Sequence, residues 1–368
     1  MRKIGAVGTW LLASTLVLTA GTAHPGSPGC DREWRYFSLT IRGDRIKDRY
    51  YDIAASSSGD VWAVGGRGDF RKTLQPLFGH WDGKQWHERT LEISRPLWRL
   101  DTVVAVGPDD VWATGTTGAL VHWNGQRFDV TRSPTRARVE LFAVDRRNVW
   151  ALASDGTAIY RYAGDHWVLV ANPRVPPGVG KGYTDWGIQS LAISPGGQRW
   201  ALLVRHDLTG WRLVRLSASG WKAVALPNRV TQTLRHPGAA FQAWLELAST
   251  PFGLYLAGTN GDKTIIVSRR TARSWADLPP LAFARKGEVR AFAGTGRDDV
   301  WASVFAFYNA GNLQPGPVMA HWDGLRWHRV ALPATARRQT SAPSVAVAEG
   351  NVWVTDAENS VIRYGCRS

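Results

Sequence analysis

Three carboxylates, Asp52, Glu140 and Glu246, stand at corresponding places in separate stretches of this 368-residue chain, in company with Gln189 and Arg290. Carboxylates drawn together from different segments do acid–base work. One protonates a departing oxygen while another activates water or takes a proton, which suits glycoside hydrolysis or elimination on a sugar acid. The competing expectation is that the same residues are solvated polar groups lining a channel.

Other catalytic signatures fail on their spacing. His87-Glu88-Arg89-Thr90-Leu91 lacks the second histidine of a zinc-protease helix and falls in a strand-like stretch. Gly178-Val179-Gly180-Lys181-Gly182 lacks the first glycine and the Ser/Thr of a phosphate-binding loop, and no Gly-x-Ser-x-Gly elbow occurs. His80, His122 and His321 recur at one repeat position, which favours a structural role over metal ligation. The pairs Asp109-Asp110 and Asp298-Asp299 precede a Val-Trp strand and read as turn formers. No cofactor is expected.

The elements that would position these residues are repeats. Val61-Trp62-Ala63 with His80-Trp81-Asp82-Gly83 and Trp86 returns as Val111-Trp112-Ala113 with His122-Trp123-Asn124-Gly125 and Phe128. It returns again as Val300-Trp301-Ala302 with His321-Trp322-Asp323-Gly324 and Trp327. Seven copies can be followed, centred on Trp62, Trp112, Trp150, Trp200, Tyr255, Trp301 and Trp353. Alternating apolar segments split by Asp-Gly and Asn-Gly turns are strand-and-hairpin grammar, and this spacing is that of a β-propeller.

Six copies end on a fourth strand opening with Trp86, Phe128, Trp167, Trp221, Trp275 or Trp327. The seventh stops after Tyr364. Glu33-Trp34-Arg35-Tyr36-Phe37-Ser38-Leu39 matches the missing strand, so the N-terminal strand is expected to complete the last blade and close the ring. An all-β, seven-bladed propeller over residues 33–366 follows, with no helix after the leader.

Met1-Arg2-Lys3, the apolar run Trp10 to Ala20 and Gly21-Thr22-Ala23 read as a secretory signal peptide over residues 1–23, followed by a short segment 24–32. A single membrane anchor is disfavoured because the apolar run is short for a bilayer. A lipid anchor at Cys30 is disfavoured by the poor Ser27-Pro28-Gly29 box. Losing Arg2 and Lys3 lowers the formal charge from +15 to +13, and arginine supplies 37 of the 45 cations. Such a surface attracts anionic glycans and polymers. Nucleic acid is a poor expectation for an exported chain, and a monomer is expected. Cys30 and Cys366, the only cysteines, flank the closing strand, and a disulfide there would replace the hairpin that joins these points in other blades. Free thiols are the alternative, since two cysteines alone do not close a zinc site.

The chain resembles secreted bacterial Trp-rich propellers of the broad Asp-box/sialidase-like, Kelch-like and WD40-like superfamily. The resemblance rests on the His-Trp-Asp-Gly-x-x-Trp hairpin; Ser154-Asp155-Gly156-Thr157, in a different turn, is the nearest approach to an Asp-box. It implies a propeller. Glycosidases, lectins and adaptors all occur on that fold, so activity stays open.

In an up-and-down blade, the loops from strand two to three and from blade to blade share one face. The long loops Gly66–Gln75, Asn172–Asp185, Asn228–Gln242 and Phe305–Gly316 all fall there. Four of the twenty tryptophans, Trp98, Trp186, Trp211 and Trp244, lie outside the repeat positions and map to that face. They are expected to form an aromatic platform for sugars, flanked by Arg67, Arg71, Lys72, Lys181 and Arg235 for anionic preference. The alternative is that these indoles pin loops to the scaffold. The expected function is a secreted, non-enzymatic recognition propeller binding a glycan or anionic surface polymer. The alternatives are a carbohydrate-active hydrolase or lyase, and an extracellular protein-interaction scaffold.

Overall fold

The computed structural model describes residues 32–38, 48–68, 75–89, 91, 99–115, 118–135, 138–143, 145–153, 158–171, 186–194, 196–205, 210–217, 220–234, 244–250, 252–259, 264–271, 273–282, 287–306, 317–333, 344–356 and 360–366. They form seven antiparallel sheets, six of them built in chain order, as a β-propeller. The innermost strands are β2 (Asp48–Ser57), β6 (Leu100–Gly107), β10 (Val139–Ala143), β14 (Trp186–Ile193), β18 (Trp244–Thr250), β23 (Gly287–Gly296) and β27 (Val345–Ala348). Each touches the next, and β27 touches β2, so the ring is closed.

Closure follows the expected route. The N-terminal strand β1 (Arg32–Ser38) pairs with β29 (Ser360–Cys366) from Arg32↔Cys366 to Ser38↔Ser360, completing the sheet β27-β28-β29-β1. Here β28 is Asn351–Asp356. The closing strand hides the edge that β29 would otherwise present to solvent.

The core is not one mass but seven apolar clusters, one at each junction between neighbouring blades. Trp62, Trp112, Trp150, Trp200, Tyr255, Trp301 and Trp353, all at most 1 % exposed, sit on the second strand of their blades and anchor these clusters. Each aromatic is buried by an adjacent blade as well as its own, so no blade has a complete core alone.

The hairpins from strand three to four use the glycines that the repeat announces. Gly125 and Gly324 sit at φ 92° and 95°. A Cβ on either would come within 2.7 Å of the Asp109 or Asp298 Cβ, so the turn admits no side chain. One element departs from the all-strand expectation. Asn228–Leu234 forms a short helix, α1, after Pro227. Val230 and Leu234, one turn apart, pack into the cluster between the fourth and fifth blades, and Arg229 Nη1 donates to the Leu278 carbonyl at 3.2 Å.

Candidate functional site

The repeated histidines belong to a framework device. In blades one, two and six the second strand opens on an aspartate two residues before the tryptophan: Asp60, Asp110 and Asp299. Its Oδ1 accepts from Trp62, Trp112 or Trp301 Nε1 at 2.9–3.0 Å and lies 2.8 Å from His80, His122 or His321 Nε2. Each imidazole stacks on its tryptophan, at 4.1, 3.9 and 4.3 Å between centroids. The aspartates sequence reasoning treats as turn formers are therefore acceptors for two aromatic donors. Ser56 bonds to Asp60 and not to His80, so the order needed to activate a hydroxyl nucleophile is broken. Burial alone would raise the Asp60 and Asp299 carboxyls. Bonds from the histidine, the hydroxyl and the indole outweigh it and hold both below the usual carboxylate range.

The other four blades carry a different device. Asn148, Gln198, Gly253 and Asn351 stand where the aspartate would be, and Arg161, Arg215, Arg269 and Arg363 stand opposite the aromatic in place of histidine. There the Trp150, Trp200 and Trp353 Nε1 are buried without a hydrogen-bond partner among the described residues. The Arg215 and Arg363 guanidinia lie 5.7 and 5.5 Å from the Trp200 and Trp353 ring centroids. A cation over the π face substitutes for the carboxylate at the ring edge.

The hairpin motif is a local latch. Asp82 Oδ1 accepts the backbone N–H groups of Lys84 and Gln85, at 2.8 and 2.9 Å, and Oδ2 meets His87 Nε2. Asp323 repeats this with Leu325, Arg326 and His328. The Gln85 and Arg326 backbone bonds are the largest cause holding both carboxyls well below their usual range.

The three axial carboxylates share one level, since Asp52, Glu140 and Glu246 pair with Val64, Leu152 and Ala257, each two residues after its second-strand aromatic, but the other two residues do not join them. β-Bulges leave Tyr51, Asp101, Gln189 and Arg290 as unpaired extra residues on β2, β6, β14 and β23, so Gln189 and Arg290 are out of step with Asp52. Asp52 aligns with Ser190, and the two do the same work. Asp52 Oδ2 accepts the Val103 N–H of the next blade at 2.8 Å, as Ser190 Oγ accepts the Leu247 N–H at 3.1 Å. The other Asp52 oxygen accepts from Ser344 Oγ of the last blade, so this carboxylate joins three blades. Burial nonetheless raises Asp52 to about 6, and Glu140 adds to it from two blades away. Burial also raises Glu140, against the pull of Arg138. Glu246 lies half-buried opposite Ala257 on the fifth blade.

Around the same end of the inner strands lies a charged cluster that sequence reasoning misses. Arg99 lies 4.8 Å over the Tyr51 ring and 2.7 Å from Asp101 Oδ1, and Arg138 of the third blade bonds the other Asp101 oxygen. The signal was present in Arg99 and Arg138, each immediately before its inner strand.

Two candidate ligand residues are placed otherwise than expected. Arg67 is committed inside its blade: Nε and Nη2 bond both oxygens of Asp48, 1 % exposed, while Nη1 and Nη2 bond Glu88, at 2.7–2.9 Å throughout. Trp211 opens β16 (Trp211–Ser217) opposite Val204. That register turns its ring into the core between blades four and five, where it is 8 % exposed and offers no platform. Trp186 and Trp244 open β14 and β18. Trp98, Arg71, Lys72, Lys181, Arg235 and Cys30 lie outside the described residues, as do most of the long loops.

At the rim, two grooves between blades are open. One, of 420 Å³, runs between blades two and three beside Tyr160, Tyr162 and Trp167. The other, of 530 Å³, runs between blades six and seven beside Trp34, Trp301, His321 and Tyr364. Both have the size of small-molecule sites.

Closed ring, seven four-stranded blades and aromatic second strands define a seven-bladed β-propeller. Among solved structures the chain is similar to YCF48 bound to D1 peptide, at 16 % identity and TM-score 0.57 over 91 % of this chain and 97 % of that one. It is also similar to YCF48 from Cyanidioschyzon merolae, at 14 % identity and TM-score 0.55 over 90 % and 98 %. At these identities the likeness concerns the fold. No family model and no curated protein matches the chain.

Proposed function

We propose that this chain is an exported, non-enzymatic recognition propeller that binds a glycan or anionic surface polymer through the face bearing its long loops. The observation that carries the non-enzymatic part is the employment of Asp52. Both its oxygens take framework donors from neighbouring blades, as Ser190 does at the equivalent place. The anionic part is supported by the arginine excess of the sequence and by Arg99 and Arg138 around the axial mouth. Export is supported by the leader-like N-terminus. The Cys30–Cys366 disulfide is supported by Cys366 facing Arg32, two residues after Cys30, and by the absence of a free cysteine among the described residues.

A peptide ligand is the second reading, favoured by the YCF48 structure solved with a peptide. A glycan array containing acidic and neutral oligosaccharides, run beside a peptide array, separates the two. Retention on acidic glycans that fades with salt supports the proposal; retention on peptides alone overturns it. Turnover of an acidic polysaccharide, abolished by Glu140→Gln, would overturn the non-enzymatic part and return the Asp52–Glu140 pair to catalysis.

A further inference from the structure

In blades one, two, three and seven an aromatic residue at or near the end of the third strand covers the second-strand aromatic of the preceding blade. Trp81 covers Trp353 in this way, at 5.3 Å between centroids, and Trp123 covers Trp62 at 5.8 Å. Both indoles also donate from Nε1 to a backbone carbonyl, of Ser58 and Pro108, at 3.1 Å. In blade seven the residue is Tyr364, which reaches Trp301 at 5.7 Å. Its smaller ring leaves open the 530 Å³ groove between the outer strand of blade six, β26 (Trp327–Val330), and the closing strand β1.

The lining is specific. Trp34 and Tyr364 form an angled aromatic wall, with centroids 5.0 Å apart and planes at 43°. Trp34 is held in place by its Nε1, which donates to the Ala331 carbonyl at 2.8 Å. His321 lies in the groove with Nε2 on Asp299, which leaves Nδ1 as the acceptor nitrogen of the neutral ring. In blade one the equivalent nitrogen, on His80, is 3.3 Å from Arg89 Nη2. Blade six has Val330 at the place of Arg89, so that position supplies no arginine to the nitrogen.

Charge favours an anion. Arg32 and Arg329 border the groove, Arg329 with its Nη2 on the Ala282 carbonyl; His328 is held by Asp323, and the lining carboxylate, Glu33, is paired with Arg35 at 3.1 Å. The groove between blades two and three is lined by one arginine, Arg132, against two here, and its carboxylate, Asp165, is likewise paired, with His166.

We propose that the groove between blades six and seven is a subsite for one uronic-acid residue of an acidic polysaccharide. The C–H face of the pyranose lies on Trp34 and Tyr364, the carboxylate meets Arg32, and a hydroxyl donates to His321 Nδ1. This rests on the glycan reading above and moves recognition from the axial mouth to the rim.

The test uses the full chain with hexagalacturonate as probe and cellohexaose as the neutral control, read by calorimetry and by quenching of tryptophan fluorescence. Tyr364→Trp fills the groove with the side chain that blades one, two and six already carry there. Arg32→Ala removes the anion partner from the edge of the closing strand, and Arg138→Ala reports on the axial mouth. Hexagalacturonate binding weakened tenfold or more by both Tyr364→Trp and Arg32→Ala, and little changed by Arg138→Ala, is the expected result. Binding lost in Arg138→Ala but kept in the other two overturns the subsite while sparing the glycan reading. Wild-type protein that binds neither sugar overturns the subsite together with that reading. If Tyr364→Trp does not fold, Arg32→Ala decides alone: unchanged affinity sinks the subsite.

Discussion

Replacing Asp110 by alanine should cost far more stability than its place at the edge of a short turn suggests. The carboxylate accepts from Trp112 Nε1 at 2.9 Å and from His122 Nε2 at 2.8 Å. The Trp112 ring is 1 % exposed, so its N–H cannot turn to water, and a stranded buried donor costs about 1–3 kcal/mol. The His122 side chain is 21 % exposed and partly rehydrates, which limits its loss to about 0.5–1.5 kcal/mol. The sum is about 1.5–4.5 kcal/mol, read as a lower urea midpoint at unchanged slope. Gln198→Ala, at the same repeat position before Trp200, is the control. Gln198 is exposed and Trp200 Nε1 already lacks an acceptor, so the change should stay within about 0.5 kcal/mol. Gln198→Asp should gain about 1 kcal/mol by supplying the missing acceptor to that indole. Urea unfolding followed by tryptophan fluorescence measures all three. Equal midpoints for Asp110→Ala and Gln198→Ala would refute the claim that the carboxylate anchors its blade.

Further outcomes follow from other groups. Arg67→Ala leaves Asp48 buried without its guanidinium, and unfolding should become easier by about 3 kcal/mol while ligand affinity stays put; affinity loss at full stability would restore Arg67 to the site. The lowered carboxyls of Asp60 and Asp299 add stability that is complete above the ordinary carboxylate range and is lost as pH falls through their folded values, so Asp299→Asn should flatten the acid limb of a stability–pH profile. Asp52 has the opposite sign: its folded value of about 6 lies above the unfolded one, so stability falls as pH rises from about 4 to 6, and Asp52→Asn should remove that slope. Cys30→Ser should lower stability by roughly 2–5 kcal/mol with an unchanged β-sheet circular dichroism spectrum; two titratable thiols in unreduced, denatured wild type would disprove the bond.

Much of the fold was legible because its rules are local. Turn glycines, second-strand aromatics and the orphan strand at residues 33–39 each announce themselves within a few positions. The helix α1 was not, because two apolar residues one turn apart are too short a period to separate from a loop. The site was harder. The partners of Arg67 are 19 and 21 residues away across two strand pairings, and only register brings them together. Trp211 looks like a loop residue by position, yet pairing with Val204 places it in a strand and thus in the core. The split into aspartate–histidine and arginine blades was written in the repeats. It becomes visible only when strands two and three are set side by side.

The pairing of β1 with β29 also sets a schedule. The first strand made must wait for the last one, more than 320 residues later, before any of its backbone groups finds a partner. Until then, Trp34 and Phe37 have neither Tyr364 nor Trp353 to lie against. A nascent chain therefore carries an unsated strand throughout synthesis, a task for a chaperone or for a delay in release. The same arrangement makes the ring a check on its own completeness. A chain broken off before residue 360 keeps six whole blades, yet it has nothing for β1 to grip, and quality control can recognise that loose strand.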